Sequence, residues 1–249
     1  MAMGIPNLEF SKLALVDRFF SGTGHSYDRI VNLCTFCCDL WWKGRILRAI
    51  PKGSTRIIDQ ACGTGILTFK IARRFPDCEV VGVELRDEYL GLAREKSRRM
   101  NVKKVDFVLG RAEDVLIRGP VDCITSSYLA KYAEFDTLIP NALHMLRPGG
   151  RLIMHDFTYP TGRFFPRLWV FYFRILQTLA SRVYPEWKTV FHELPGFLKK
   201  TPWVSELLPV LKKNDFANIR TVPLTFGTST MVTATKRSLQ RSWSRGPGF

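Results

Sequence analysis

The sequence predicts an α/β fold built on a seven-stranded, mostly parallel sheet with an antiparallel last strand. Between residues 55 and 157, short apolar strand patterns alternate with helical patterns, which is typical of a parallel sheet covered by helices. The first strand pattern, at residues 56–59, runs directly into a turn closed by two glycines and then into a helical pattern. Two strand patterns near the end of the chain, at 219–222 and 229–235, suit an antiparallel pair. Together these observations indicate a Rossmann-like fold.

A helical lead-in, residues 1–50, is predicted to precede the sheet. A stripe of apolar residues from 13 to 20 predicts one helix, and a glycine-rich segment at 21–24 interrupts it. A second apolar pattern, rich in aromatic residues and cysteine, runs from 27 to 50 and predicts one further helix. We therefore expect the main domain to span residues 51–236.

The main domain holds the strand and helix patterns that place the site. Strand patterns lie at 56–59, 79–84, 105–109, 121–126 and 151–157, with helical patterns at 66–75, 87–100, 113–116 and 135–147. Because right-handed crossovers bring the carboxyl ends of parallel strands to one edge, Asp59, Glu84, Leu109 and Ser126 are expected to line one crevice. Ligands bind at this edge in open α/β sheets.

Residues 160–200 depart from the alternation and are rich in aromatic residues, proline and arginine. This composition predicts a helical lid inserted after the fifth strand. A helix at 204–213 then leads into the last two strands. The end of the chain, residues 237–249, is basic and rich in glycine and serine, and it is predicted to be a disordered tail.

Charge and hydropathy narrow the class of partner. The net charge of the 249-residue chain is +15, which favours an anionic partner such as nucleic acid, an anionic membrane surface or a phosphorylated substrate. The first ten residues lack the pattern of a signal peptide. The longest apolar stretch, 168–179, is interrupted by Arg174 and Gln177 and is too short to span a bilayer. The prediction is a cytoplasmic protein, peripheral on the inner face of a membrane.

The six cysteines include one tight cluster, Cys34, Cys37 and Cys38. A zinc site needs a second Cys or His pair nearby, and none of the four histidines supplies it. We therefore predict no metal site and expect the cluster to lie on a largely buried helix as small apolar residues.

The turn after the first strand pattern carries the strongest chemical signal. Asp59 stands at the strand's end, and Gly63 and Gly65 close the turn. The glycines let a ligand approach the backbone, and the helix N-terminus that follows favours an anionic group. Asp59 favours a cationic group, so the turn suits a ligand with a carboxylate and an ammonium group. The alternative is a purely structural turn of an α/β protein.

Three further sequence elements follow the glycine turn, each beside a later strand pattern. Glu84 ends the second strand pattern, where a carboxylate can accept both hydroxyls of a ribose diol. After the third strand pattern, the backbone of Arg111 and Ala112 is placed to contact an adenine edge. Finally, the segment 148–150 (Pro-Gly-Gly) is expected to form a turn between a helix and the fifth strand.

These four elements in series resemble the class I S-adenosylmethionine (AdoMet)-dependent methyltransferases. Within that class the chain is most similar to the ubiquinone/menaquinone biosynthesis C-methyltransferase family, over residues 16–236. Tyr27 and Asp28, followed by Trp42 and Lys43, resemble that family's N-terminal signature. The segments 122–125, 146–160 and 211–227 also resemble it.

The resemblance implies AdoMet as cofactor and a prenylated benzoquinol or naphthoquinol as methyl acceptor. It also implies ligand roles for eight residues: Asp59, Gly63, Gly65, Thr68, Glu84, Arg111, Ala112 and Ser127. The chain departs from the family pattern at several positions. Lys131 and Tyr132 stand where the family has Arg-Asn, Asp39 and Leu40 where it has His-Arg, and Arg111 where Asp or Asn is common.

A quinol carbon becomes a good nucleophile when its phenol, with a pKa of about 10, loses a proton. A base or a nearby cation therefore favours the reaction. The residues predicted to be catalytic are Lys131, Tyr27, Asp28 and His25. Further candidates are His155, Asp156 and His192, although His155 follows a strand pattern that favours a buried core histidine.

Other functions remain open at this point. The basic, aromatic insertion suits contact with an anionic membrane surface. Such a surface fits a phospholipid headgroup N-methyltransferase as well as a quinol methyltransferase. Alternatively, the aromatic residues of the insertion form a second small core. Another small-molecule acceptor is also open. Nucleic acid is disfavoured because residues 125–128 lack the Asn/Asp-Pro-Pro turn of base N-methylation. A non-catalytic scaffold or lipid carrier is the remaining alternative. The sequence does not indicate the oligomeric state.

Overall fold

The computed structural model describes residues 8–238, and most of the predicted basic tail lies outside the described residues. Seven strands form one sheet: β1 (Arg56–Gln60), β2 (Glu79–Glu84), β3 (Val105–Leu109), β4 (Val121–Ser127), β5 (Leu146–Phe157), β6 (Phe216–Leu224) and β7 (Ser229–Lys236). Their order is β3-β2-β1-β4-β5-β7-β6, and β7 runs antiparallel to both of its neighbours. The predicted fold class is confirmed. The chain runs from β1 outward to β2 and β3 and then crosses back to β4 on the other side of β1. The switch point of the sheet therefore lies between β1 and β4.

The described helices cover both faces of this sheet and build its lead-in and insertion. They are α1 (Leu8–Phe20), α2 (Gly24–Cys34), α3 (Cys38–Ala49), α4 (Ile66–Arg74), α5 (Asp87–Arg99), α6 (Phe135–Met145), α7 (Phe165–Ile175), α8 (Ser181–Val183), α9 (Lys188–Lys200) and α10 (Trp203–Lys213). A π-helical turn, Leu176–Ala180, links α7 to α8. Among the described residues, no helix combines the length and apolar character needed to cross a membrane.

The central strands are buried on both faces, which explains their continuous apolar runs. Successive side chains of a strand point to opposite faces, so Ile57 and Ile58 enter different cores. Ile58 packs in the core that contains residues of α6 and α10, whereas Ile57 packs with residues of α3 and α4. Burial on both faces holds the central strands in place, and the carboxyl ends of these strands form the candidate site described below.

A third core joins the lead-in to the insertion. Phe19 and Ile30 of the lead-in pack with Trp169, Phe173 and Phe191 of the insertion. The aromatic insertion therefore buries one face against α1 and α2, as the second-core alternative anticipated. The boundaries predicted for the lead-in, main domain and insertion stay predictions.

Two local predictions are wrong in the lead-in. The single helix predicted after residue 27 is split into α2 and α3, because Phe36 and Cys37 take positive φ angles of 49° and 61°. The cysteine cluster consequently lies at this break, and Cys37 is exposed rather than buried on a helix. All six cysteines are free thiols.

Two predictions are also wrong within the sheet region. The short helix predicted at 113–116 is absent, because residues 112–114 form a turn and residues 115–117 are irregular. The Pro-Gly-Gly segment lies inside β5, because Leu146 already pairs with Val121 and the next pair joins Arg151 to Cys123. The residues between them form a bulge. Gly150 is required there, since a Cβ atom would lie 2.8 Å from the carbonyl oxygen of Arg147.

Candidate active site

The glycine turn joins β1 to α4 at the switch point of the sheet. Gly63 and Gly65 have φ angles of 59° and 85°, a region that favours glycine, and α4 begins at the next residue, Ile66. The N–H of Cys62 donates to the carbonyl of Val83 at 2.9 Å, which ties the turn to β2. The N-terminus of α4, a favourable position for an anionic group, therefore faces the carboxyl edge of the sheet.

Asp59 lies at the end of β1 and is buried below the glycine turn. Its two oxygens accept hydrogen bonds from the hydroxyls of Thr68, at 2.7 Å, and Thr125, at 3.0 Å. Burial raises the pKa of Asp59 to about 6, although both hydroxyls oppose the shift. A carboxylate held only by neutral donors keeps its attraction for a cationic ligand group.

Glu84 ends β2 and borders the cavity beside the turn. Its carboxylate accepts the N–H of Gly63 at 2.8 Å and the N–H of Arg86 at 2.9 Å. Burial raises the pKa of Glu84, and these backbone donors oppose the rise. Within the described residues, neither Glu84 nor Asp59 forms an ion pair with a basic side chain.

Three further predicted cofactor residues lie after β3 or at the end of β4. Arg111 borders the same cavity, and its Nε donates to Glu113 at 3.2 Å. Ala112 is buried, and its carbonyl accepts the amide of Gln60 at 3.3 Å. The hydroxyl of Ser127 lies 3.1 Å from Nδ1 of His155 and also borders the cavity.

We call the space beside the glycine turn the cofactor cavity. Of the eight residues predicted to bind the cofactor, Gly63, Glu84, Arg111 and Ser127 line it. The other four, which are not among its lining residues, are Asp59, Gly65, Thr68 and Ala112. A wall from α1, including Val16 and Phe20, covers the cavity from outside.

The donor set of this cavity fits AdoMet. Two buried carboxylates end neighbouring strands and have neutral donors as partners, which suits an ammonium group and a ribose diol. The helix N-terminus suits the carboxylate of the ligand.

A second, larger cavity lies beside the first and is called the acceptor cavity. Its volume is about 480 Å³, within the range of small-molecule sites. Its walls are mostly aromatic and aliphatic side chains of α2, α7 and α9 together with the β6–β7 turn. Four aromatic residues border both cavities and form what we call the aromatic partition: Phe20, Tyr27, Tyr128 and Tyr132.

Lys131 provides a buried cation in the wall of the acceptor cavity. Its Nζ donates to Asp156 at 2.6 Å and to the carbonyl of Tyr128 at 3.0 Å. The same nitrogen lies 4.5 Å from the ring centroid of Tyr132. Burial lowers the pKa of Lys131 and raises the pKa of Asp156, and the attraction between the two opposes both shifts.

A second buried pair, Lys43 and Asp39, supports the partition from the other side. Nζ of Lys43 donates to Asp39, and the hydroxyl of Tyr128 donates to the same carboxylate at 2.6 Å. Tyr128 has a φ angle of 74°, a strained value for an aromatic residue, and its ring stacks on Phe157. One sequence signal, the Trp42 and Lys43 signature, falls on this network, but no role was predicted from it.

The predicted catalytic residues separate into two groups. Tyr27 and Lys131 line the acceptor cavity, so the structure brings both to the place where an acceptor would lie. Asp28 lines neither described cavity, since its carboxylate accepts hydrogen bonds from Thr64 and Lys96 and ties α2 to the glycine turn. His25 is exposed on α2 and also lines neither cavity, because the helix turns it toward solvent.

The two other histidine candidates lie away from the acceptor. His155 is buried between the hydroxyls of Ser127 and Ser229, and burial lowers its pKa well below the usual value. It is therefore a neutral core histidine. His192 is exposed on α9. Across residues 8–238, no group of three or more His, Cys, Asp or Glu side chains is arranged to hold a metal ion.

A family model and the curated relatives of this chain point to the same family of methyltransferases. A model of the ubiE/COQ5 methyltransferase family matches residues 9–236. Among curated relatives, the demethylmenaquinone methyltransferase of Anoxybacillus flavithermus is 24% identical, covering 90% of this chain and 96% of its own. The enzyme of the same name from Staphylococcus aureus is also 24% identical, covering 87% of this chain and 90% of its own.

Solved methyltransferases share the fold at low identity. Phosphoethanolamine N-methyltransferase 2 of Haemonchus contortus, solved with S-adenosyl-L-methionine, has a TM-score of 0.57 at 16% identity. The match covers 79% of this chain but spans only about half (52%) of that protein. Geranyl diphosphate C-methyltransferase of Streptomyces coelicolor has a TM-score of 0.57 at 14% identity, covering 77% of this chain and 74% of its own.

Proposed function

The chain belongs to the ubiE/COQ5 methyltransferase family and is an AdoMet-dependent methyltransferase, and from this premise we propose that it methylates a ring carbon of a prenylated quinol. The observation that carries the proposal is the acceptor cavity: a large aromatic space, separated from the cofactor cavity by four aromatic rings, with one buried lysine in its wall. The two curated relatives described above are named for methylation of demethylmenaquinone.

AdoMet supplies an electrophilic methyl group when it is bound. We propose that Glu84 accepts its ribose hydroxyls and that Asp59 attracts its ammonium group from below the glycine turn. The N–H groups at the start of α4 favour its carboxylate. The backbone after β3, at Arg111 and Ala112, is proposed to contact the adenine.

The acceptor's ring carbon gains the methyl group and releases its hydrogen as a proton. The nucleophile is strongest as a phenolate, and a cation in an apolar cavity stabilises that form. Lys131 is proposed to supply this charge. The aromatic walls exclude water, which strengthens the electrostatic effect and holds the ring against the partition.

We also propose that the protein takes its acceptor from an anionic membrane surface. Five exposed apolar residues line the acceptor cavity, and we call them the rim: Phe36, Leu168, Phe171, Ile175 and Phe226. On α7, the exposed Arg167 and Arg174 lie beside the rim. Apolar side chains flanked by arginines suit the interface of a bilayer with anionic lipids.

The test is a direct assay with the purified protein. Demethylmenaquinol, AdoMet and lipid vesicles are incubated with it, and mass spectrometry of the extracted quinones locates the new methyl group. The expected product carries one methyl group on the ring carbon. Phosphatidylethanolamine is assayed in parallel as the acceptor of the alternative function. Methylation of that amine without methylation of the quinol would contradict the proposal.

A further inference from the structure

Tyr132 carries a buried hydroxyl group with no hydrogen-bond partner among the residues that the structure describes. Leaving a buried polar group unpaired costs about 1–3 kcal/mol, so such groups need an explanation. Tyr132 is one of the four residues of the aromatic partition, bordering the cofactor cavity on one side and the acceptor cavity on the other. A ligand in either cavity is therefore the available partner for this hydroxyl.

Packing fixes the ring of Tyr132 in this position. The ring stacks on Phe197 with a centroid separation of 5.3 Å and makes an edge contact with Phe20 at 6.2 Å. Its backbone N–H donates to the carbonyl of Leu129 at 2.9 Å. These contacts hold the ring, and with it the hydroxyl, within the partition and prevent the side chain from turning toward solvent.

The surroundings of the hydroxyl select the chemistry of its partner. Nζ of Lys131, which is paired with Asp156, lies 4.5 Å from the centroid of the Tyr132 ring, so a ligand oxygen at this hydroxyl has a cation nearby. Burial raises the pKa of Tyr132 well above its usual value, so its hydroxyl stays protonated and acts as a donor. A neutral donor beside a cation, in apolar walls, suits a phenol that becomes a phenolate.

We propose that Tyr132 donates a hydrogen bond to the phenolic oxygen adjacent to the acceptor carbon that receives the methyl group. The bond places that carbon at the partition and stabilises the phenolate. The inference rests on the proposed quinol function, and it assigns a binding role to the residue that stands where the family has asparagine. The rings of Phe20 and Tyr132 need to part slightly for this contact, because the hydroxyl is closed off from water in the structure.

Tyr132→Phe removes only the unpartnered hydroxyl. The variant is expected to lower kcat/KM for the quinol by about ten- to a hundredfold, the effect of losing a hydrogen bond to a charged group. Its Kd for AdoMet should stay within about twofold of wild type. Its melting temperature should be equal to or above that of wild type, since no protein contact is lost.

Tyr159→Phe is the matched control. Tyr159 packs in the third core against Trp169 and lines neither described cavity. This variant also removes one tyrosine hydroxyl and should keep kcat/KM within about twofold. The pH profile of kcat gives a second readout: without the Tyr132 donor, the phenol ionises at higher pH, so the rising limb shifts to higher pH by about one unit.

The outcomes distinguish the two proposals. If the wild type methylates the quinol and Tyr132→Phe keeps the wild-type kcat/KM and pH profile, the role of Tyr132 is overturned and the quinol function stands. If the wild type binds AdoMet but does not methylate the quinol, the proposed function is overturned and the inference falls with it.

Discussion

At the scale of single residues, burial sets the charge state of the groups around the two cavities. It raises the pKa of Asp59 and Glu84 and lowers the pKa of Lys131, each of which lies in or beside a cavity wall. His155 is driven to its neutral form by the same cause. Burying such groups destabilises the folded protein. Where no ion pair compensates, their substitution is therefore expected to raise stability while it lowers function.

Asp59→Asn is predicted to stabilise the protein at pH 7.5 and to weaken AdoMet binding. The folded pKa, about 6, lies above the unfolded value of about 3.9. The contribution of Asp59 to stability is therefore complete below about pH 4 and is lost as the pH rises through 6. Ionised Asp59 then costs up to about 3 kcal/mol, which asparagine avoids. Denaturant unfolding at pH 5 and pH 7.5 measures the effect.

The same substitution is expected to remove a pH dependence of AdoMet affinity. Wild-type affinity should rise as Asp59 ionises between about pH 5 and 7, and calorimetry should show no such rise in Asp59→Asn. Asp122→Asn is the contrasting control. Hydrogen bonds from Thr55, Arg56 and Arg147 outweigh burial and lower the pKa of Asp122, so its loss should destabilise the protein at pH 7.5. A less stable Asp59→Asn would contradict the account.

Lys131→Ala is predicted to lower turnover of the quinol by more than tenfold while changing the Kd for AdoMet by less than about threefold. In the proposed mechanism the cation acts on the acceptor, and Lys131 does not line the cofactor cavity. Lys131→Ala leaves Asp156 buried and unpaired, which destabilises the protein. The double variant Lys131→Ala/Asp156→Asn should recover this stability, while its turnover of the quinol stays low. Lys131→Arg should retain most of the turnover. Normal turnover in Lys131→Ala would exclude this role.

At the scale of elements, the helical insertion has two apolar faces. One packs against the lead-in through Trp169 and Phe173, and the other stays exposed. On the exposed face Leu168, Phe171, Ile175 and Leu179 recur at spacings of three and four residues, the pattern of one helix side. An exposed apolar stripe of this length marks an interaction surface.

Leu179→Glu/Val183→Glu is predicted to weaken binding to phosphatidylglycerol-containing vesicles by at least about tenfold, because both side chains extend the exposed face and neither lines the described cavities. Turnover of a short-tailed, water-soluble quinol should stay within about twofold. Leu116→Glu, an exposed leucine away from the insertion, should leave vesicle binding unchanged. Flotation of the variants with the vesicles checks this, and wild-type protein that does not float would refute the membrane proposal.

At the scale of the whole molecule, the lead-in, the sheet edge and the insertion share the walls of the site. Phe20 and Tyr27 come from the lead-in, Tyr128 and Tyr132 follow β4, and the insertion closes the acceptor cavity. Binding of a ligand therefore couples three parts of the chain that are distant in sequence.

AdoMet is predicted to raise the melting temperature in proportion to the logarithm of its concentration. At a hundred times Kd the gain is about 2.7 kcal/mol, or roughly 5–10 °C for a chain of this length. Hydrogen exchange in α1 and α2 should slow together with that in the glycine turn. Protection confined to the glycine turn would show that the lead-in does not close over the cofactor.

The sequence predicted the parts of the protein that depend on local pattern. β2 and β3 were predicted to the residue, and Glu84 and the glycine turn were placed at the correct strand ends. These features are predictable because apolar periodicity and turn-forming residues are local properties of a few neighbouring positions. The break at Phe36 and the bulge before Arg151 were missed, since a positive φ at a non-glycine residue and a shifted strand register follow from contacts with distant elements.

Tertiary structure alone decided which polar groups meet. Asp39 reaches Tyr128 across 89 positions, and Lys131 reaches Asp156 across 25. Among the described residues, the hydroxyl of Tyr132 reaches no partner. The shared carboxyl edge of the parallel strands was predicted from the sequence because each βαβ unit encodes its own hand. The strand order was seen only in the structure. The acceptor wall arises where lead-in, sheet and insertion pack together, and burial at that junction fixes the charges and leaves the unpaired donor.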